Sequence, residues 1–186
     1  HKTAPDTPYS NTVATISGSP SGSLSWVKTF DPAHGTVSLN PDGSYTYTPN
    51  NGYHGMDRFG YRLNDGTGPI ATAYVDILIP SNPVPGDIPP TSTALPDLTN
   101  HDSNVVSVSI ASHFTNNNPS GALTFYAAGL PTGLTMDPNT GVISGTIDHN
   151  DSQAVVNGQY DITVIADDGM GGTTQQTFMW TIVNDN

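Results

Sequence analysis

The chain has 186 residues, sixteen acids (every one an aspartate) against four Lys plus Arg, and a formal net charge of -12. This balance argues against nucleic acid and anionic membrane surfaces as partners and suits solubility and cations. The sequence has no cysteine, which excludes a disulfide scaffold, thiolate zinc sites and thiol catalysis. It favours a bacterial surface protein over a secreted eukaryotic sandwich, which would often carry a disulfide.

Gly and Pro together with abundant Thr, Ser, Asn and Val give a strand-and-turn composition, and no segment of ten or more residues carries a helical period. In chain order, Val13 to Ser17, Ser25 to Thr29 and Gly35 to Leu39 are candidate strands. Asn40-Pro41-Asp42-Gly43 reads as a hairpin turn, since Pro presets φ and Asp-Gly supplies the left-handed corner. Ser44 to Thr48 leaves that turn with period-two alternation, and Arg58 to Leu63 resumes it with Phe59, Tyr61 and Leu63 on one face. Ala71, Ala73, Val75, Ile77 and Ile79 read as the inward face of the next strand. Pro80 to Pro90 holds five prolines in eleven residues. It cannot be a central strand and reads as a stiff, extended linker. Beyond it, Asn104 to Ile110, Ala122 to Ala127, Gln159 to Ala166 and the run Thr173 to Val183 are further strands. Trp26 and Trp180 read as core anchors.

Two hairpins match at a spacing of 103 residues. Asn64-Asp65-Gly66-Thr67-Gly68 precedes the alternating run to Ile79, and Asp167-Asp168-Gly169-Met170-Gly171 precedes the run to Val183. Each closes a block close to the length of an immunoglobulin-like sandwich, about 100 residues. The expected organisation is all-β, with two tandem immunoglobulin- or cadherin-like Greek-key β-sandwiches at 1–79 and 91–186 and a linker at 80–90.

The segment Gly35-Thr36-Val37-Ser38-Leu39-Asn40-Pro41-Asp42-Gly43-Ser44-Tyr45-Thr46-Tyr47-Thr48-Pro49-Asn50, followed by Phe59 to Gly66, resembles the cadherin-like repeat of large bacterial adhesins. Leu130-Pro131-Thr132-Gly133-Leu134 through Gly141-Val142-Ile143-Ser144-Gly145-Thr146, continuing over Tyr160 to Val183, resembles the putative-Ig, dystroglycan-type cadherin-like repeat. The resemblance implies an extender or adhesion segment of a long secreted adhesin, including those of RTX type, rigidified by Ca2+. Its partners would be neighbouring Ig-like repeats of the same polypeptide and cell-surface glycans or proteins. It implies an extracellular, cell-surface location and a monomer with no membrane insertion.

Calcium takes six to eight oxygen ligands, several of them carboxylates. Asp148, Asn150, Asp151 and Ser152 begin like an EF-hand loop, but Gln153 and Gln159 stand where Gly and Glu are needed, so a polar turn and a ligand loop both fit. Asp168-Gly169 alone is a hairpin turn, while Asp167 resembles an acid of the cadherin Asp-x-Asp element; a capping role is its alternative. Val183-Asn184-Asp185-Asn186 resembles the terminal calcium linker of cadherin repeats, which would pair Asp185 with acids such as Asp97 and Asp102 or with the 148–152 and 167–168 loops. The linker itself offers only Asn82 and Asp87, a departure from the pattern.

No zinc-spaced histidine pair, nucleophile elbow, phosphate loop or dinucleotide fingerprint occurs, and any two of sixteen aspartates could be called a glycosidase pair. No catalytic residues are therefore assigned. Tyr45, Tyr47, Tyr53, Tyr61 and Tyr74 form an aromatic surplus that reads either as core and cross-strand packing or as a sugar-stacking face. A carbohydrate- or protein-binding module, of an adhesin or of a secreted polysaccharide-degrading enzyme, is the alternative to the extender.

Overall fold

A computed structural model of the chain describes residues 3, 6–13, 24–118 and 121–184. Contacts divide it into two units, His1–Pro80 and Ser81–Asn186.

The first unit comprises β1 (Tyr9–Thr12), β2 (Ser25–Phe30), β3 (Gly35–Leu39), β4 (Ser44–Pro49), β5 (Gly55–Asn64) and β6 (Pro69–Ile79). They form two antiparallel sheets, β1-β4-β3 and β2-β5-β6. Alternation places Tyr45 and Tyr47 of β4 and Val37 of β3 inward from one sheet. Phe59, Val75, Ile77 and Ile79 face them from the other. Tyr47, Phe59, Ile77 and Ile79 are fully enclosed, and burying side chains of this size contributes about 1.5–3 kcal/mol each. The turn at 40–43 forms as its residues demand, with Gly43 at φ 86° and its N–H on the Asn40 carbonyl.

Two expectations change here. Ala71 and Ala73 are exposed, because the first half of β6, Pro69 to Tyr74, runs past the core and is open to solvent on both faces. The first strand lies at Tyr9–Thr12, paired with Ser44 to Tyr47; of the expected strand over 13–17, Val13 is a buried core residue just past β1, and residues 14–17 fall outside the described residues.

The second unit comprises β7 (Thr91–Ser92), β8 (Leu98–His101), β9 (Val105–Ser109), β10 (Phe114–Thr115), β11 (Thr124–Ala128), β12 (Leu134–Met136), β13 (Val142–Thr146), the single-turn helix α1 (Asp151–Ala154), β14 (Gln159–Asp167) and β15 (Thr173–Val183). A four-stranded sheet β11-β14-β15-β8 and a three-stranded sheet β12-β13-β9 enclose the core, with β10-β7 as a short flanking pair. Trp180, Ile162, Val164 and Ile143 are sealed from solvent. The Trp180 indole N–H, which needs a partner once buried, donates to Asn100 Oδ1 at 3.0 Å. β8 runs parallel to β15, pairing Leu98 with Trp180 and His101 with Val183, while every other described pairing is antiparallel.

Residues 81–90, within the stiff, extended linker expected at 80–90, group with the second unit by their contacts. The Val84 N–H donates to the Met170 carbonyl at 2.8 Å, so this proline-rich stretch runs along the β14–β15 turn as an ordered strap.

Candidate functional site

The strap and the turn meet at a group of oxygens. β14 ends at Asp167 and is followed by Asp168, both buried (4 % and 2 % exposed). Buried carboxylates require hydrogen-bond donors, and the local chain supplies them. Asp167 accepts the Ser81 hydroxyl at 2.9 Å and the N–H groups of Ser81 and Gly169. Ser81 Oγ in turn accepts the Gly171 N–H at 2.9 Å. Asp168 Oδ1 accepts the N–H groups of Met170 and Gly172, and its Oδ2 accepts the Asn118 amide at 3.0 Å. The same amide reaches Asp87 Oδ1 at 2.7 Å.

Gly172 shows how tight this is. A Cβ there would lie 2.5 Å from Asp168 Oδ2 and 2.6 Å from Asp87 Oδ2. Two carboxylates therefore converge over a glycine, bridged by one amide.

A second acidic group lies at the other end of β14, about 26 Å away along the strand. Asp102 accepts the Ser152 N–H and hydroxyl. Asp151, 2 % exposed, accepts the Tyr160 hydroxyl at 3.1 Å and the Asp148 N–H at 3.2 Å. Burial holds the Asp151 carboxyl above the usual range, against the opposing pull of its hydrogen-bond donors. Asp148 caps the turn through the Asn150 N–H, and Asn150 stands before α1 without a side-chain cap. The loop that begins like an EF-hand thus becomes a helical turn, with Asp151 aimed inward.

The sequence-derived ligands therefore separate. Asp167 and Asp168 sit together at one end, and Asp102, Asp148, Asn150 and Asp151 at the other. Asp97 stands apart, its carboxylate holding the Met179 N–H at 2.8 Å. Asp185 lies outside the described residues. Ser81 and Asn118 are partners that sequence reasoning passed over, while Asp87 was noted in the linker only as a departure from the cadherin pattern. Among the described residues, no group of three or more His, Cys, Asp or Glu is placed to hold a metal by side chains alone.

In the first unit, Asp57 was also missed. It is buried at 5 % exposure and accepts the N–H groups of Ala33, His34 and Arg58 and the Tyr47 hydroxyl, all at 2.8–2.9 Å. Burial first, and then the bond to Asp57, push the Tyr47 phenol far above its usual range. This is a structural brace. With four donors, Asp57 has little capacity left for a ligand.

A bacterial Ig domain family matches residues 2–78, and a putative Ig domain family matches residues 89–183. The chain belongs to the immunoglobulin-like domain families. Such domains are usually non-catalytic, and the bacterial ones are typically extracellular or surface-exposed. No curated protein matches the chain. Among solved structures, it is similar to a protein of Bacteroides fragilis described as a putative α-galactosidase/melibiase, at 23% identity and TM-score 0.40, covering 52% of this chain and 18% of that one. It is also similar to an endo-fucoidan hydrolase of glycoside hydrolase family 107 at 17% identity and TM-score 0.42, covering 100% of this chain and 27% of that one. The human desmocollin-1 ectodomain matches at 14% identity and TM-score 0.41, covering 100% of this chain and 39% of that one. The chain spans well under half of each of these proteins.

Proposed function

We propose that the chain is a non-catalytic extender of a large secreted bacterial cell-surface adhesin, one that projects ligand-binding regions from the cell and is stiffened by calcium. The observation that carries this is the strap. The residues after the first Ig-like unit are fixed along the second by Asp167, Asp168 and Ser81 rather than left as coil. A module built for reach gains from backbone that holds its length. The strongly shielded aspartates are engaged by backbone and hydroxyl donors, which suits a structural role.

Calcium is supported by the approach of Asp87 and Asp168 over Gly172. Calcium binds where carboxylate oxygens from separate segments of the chain converge. Asp87 and Asp168 would supply carboxylate oxygens, with backbone carbonyls and water completing the six to eight that calcium takes.

Thermal unfolding of the 186-residue protein in millimolar calcium and in chelator tests the calcium reading. A ligand bound only to the native state at a hundred times its Kd adds about 2.7 kcal/mol. The expected result is a rise of several degrees that disappears in Asp87→Ala. No shift in the parent protein sinks the calcium part. Protease shaving of intact cells that express the parent polypeptide tests the surface location separately; protection of this segment until lysis overturns it.

A further inference from the structure

We infer that the outer face of the β2-β5-β6 sheet binds an anionic polysaccharide, one carrying carboxylate or sulfate groups. This goes beyond the extender reading and uses none of the acidic residues discussed above.

All of the exposed large hydrophobic side chains described in the first unit lie on this sheet: Val27, Phe30, Ile70 and Tyr74, between 37% and 51% exposed. Pairing puts Phe30, Gly60 and Tyr74 in one row across the three strands, and Val27, Arg62 and Thr72 in the next. Residues directly opposite share a face. A Cβ on Gly60 would fall 2.2 Å from the Phe30 ring, so the ring lies close over bare backbone. Tyr74 stands across the same glycine, about 10 Å from the Phe30 strand at two strand spacings. The Arg58 guanidinium covers the Tyr74 ring at 3.8 Å and is fixed by Asp76, Nη2 to Oδ2 at 3.0 Å.

Charge selects the occupant. The sequence holds only four Lys plus Arg in a net charge of -12, yet Arg58 and Arg62 both stand on this face; Asp76, opposite Arg58, neutralises that one and leaves Arg62 as the charge open to a ligand. Arg62 is exposed and forms no ion pair with a carboxylate among the described residues. Against so acidic a background, an anionic polymer is repelled elsewhere and met here. The rings favour sugar over peptide. Phe30 and Tyr74 are half-exposed, Tyr74 with one face under Arg58, and leave aromatic surface to stack on the apolar faces of pyranoses, while the Arg62 guanidinium fork grips carboxylate or sulfate in two-point contacts.

The test is affinity electrophoresis of the 186-residue protein through gels containing polygalacturonate, dextran sulfate, neutral dextran or poly-L-glutamate. Retardation by either anionic polysaccharide, with no retardation by neutral dextran or polyglutamate, is expected; which of the two retards it tells uronate from sulfate recognition. Arg62→Ala and Tyr74→Ala, both at exposed positions, should each weaken the apparent affinity about tenfold, the scale of one lost charge-assisted or stacking contact, with the unfolding midpoint of Arg62→Ala unchanged. Equal binding to polyglutamate or to neutral dextran overturns the inference. So does an absence of retardation, or a double variant that binds like the parent.

Discussion

The hairpins at Asn64–Gly68 and Asp167–Gly172 begin from nearly the same residues and end in different environments. In the first, Asp65 Oδ1 accepts the Thr67 hydroxyl and the N–H groups of Thr67 and Gly68 at the tip of a ribbon that has left its core. In the second, Asp168 makes the equivalent turn to Met170 and Gly172 and is sealed beneath the strap. The turn chemistry is local and repeats. The burial is tertiary, and comes from residues some eighty positions earlier in the chain. Thus one short motif serves as a solvent-facing bend in one unit and as an anchor in the other, according to what lies over it.

The largest expected separation between the two comes from removing the carboxylates. Asp168→Ala leaves the Met170 and Gly172 N–H groups and the Asn118 amide without their acceptor in a dry site, and should destabilise the second unit by about 3–4 kcal/mol in urea unfolding. Asp65→Ala exposes its donors to water and should produce a much smaller fall in the first unit. Equal losses would mean that the strap contributes nothing.

Next come the glycines that occupy matching places. Gly171 is at φ 101°, and a Cβ there would sit 2.5 Å from the Pro83 backbone, whereas nothing lies within 4 Å of one at Gly68. Gly171→Ala should cost about 2–3 kcal/mol, and Gly68→Ala should stay within about 0.5 kcal/mol. The urea midpoints of the two variants give the comparison directly.

The smallest effect is in pH dependence, and its sign differs between the units. The hydrogen bonds from Thr67 hold Asp65 below its usual value. Its contribution is therefore present above the unfolded pKa of about 3.9 and is lost as pH falls through the folded value. Burial holds Asp151 above the usual range. The native state then binds that proton more tightly, so stability declines as pH rises from about 3.9 through the folded value. Asp65→Asn should flatten the acid limb of the first unit's stability curve, and Asp151→Asn should flatten the opposite slope in the second, as read by thermal unfolding from pH 3 to 7.

Period-two alternation made the long strands legible, because residues such as Tyr45 and Tyr47 or Ile162 and Val164 have one face to bury. It failed at Tyr9–Thr12 and Leu98–His101, which carry little apolar pattern and become strands by pairing with β4 and β15. It also placed Ala71 and Ala73 inside, since alternation gives the face of a strand but not how far the core extends beneath it. The acids at 167–168 and 148–151 were visible as clusters, but their separation to opposite ends of β14 was not. Nor was Asp57, whose four donors come from an irregular turn, from Tyr47 on the facing sheet and from the next residue of its own strand. The prolines of residues 80–90 correctly ruled out a central strand, but they could not reveal that Ser81 and Val84 would find partners on a turn encoded far downstream.

The parallel pairing of β8 with β15 has a mechanical consequence. Tension applied to the two ends of the second unit draws these strands past one another along their length, so the hydrogen bonds from Leu98–Trp180 to His101–Val183 are loaded in shear and must break together rather than unzip one by one. The strap lies upstream of that clamp, so a pull on the chain before residue 81 reaches its bonds to the 167–172 turn first. Freeing residues 81–90 yields about 33 Å of chain while β7 and the sandwich stay folded, a sacrificial length spent before the domain itself is lost.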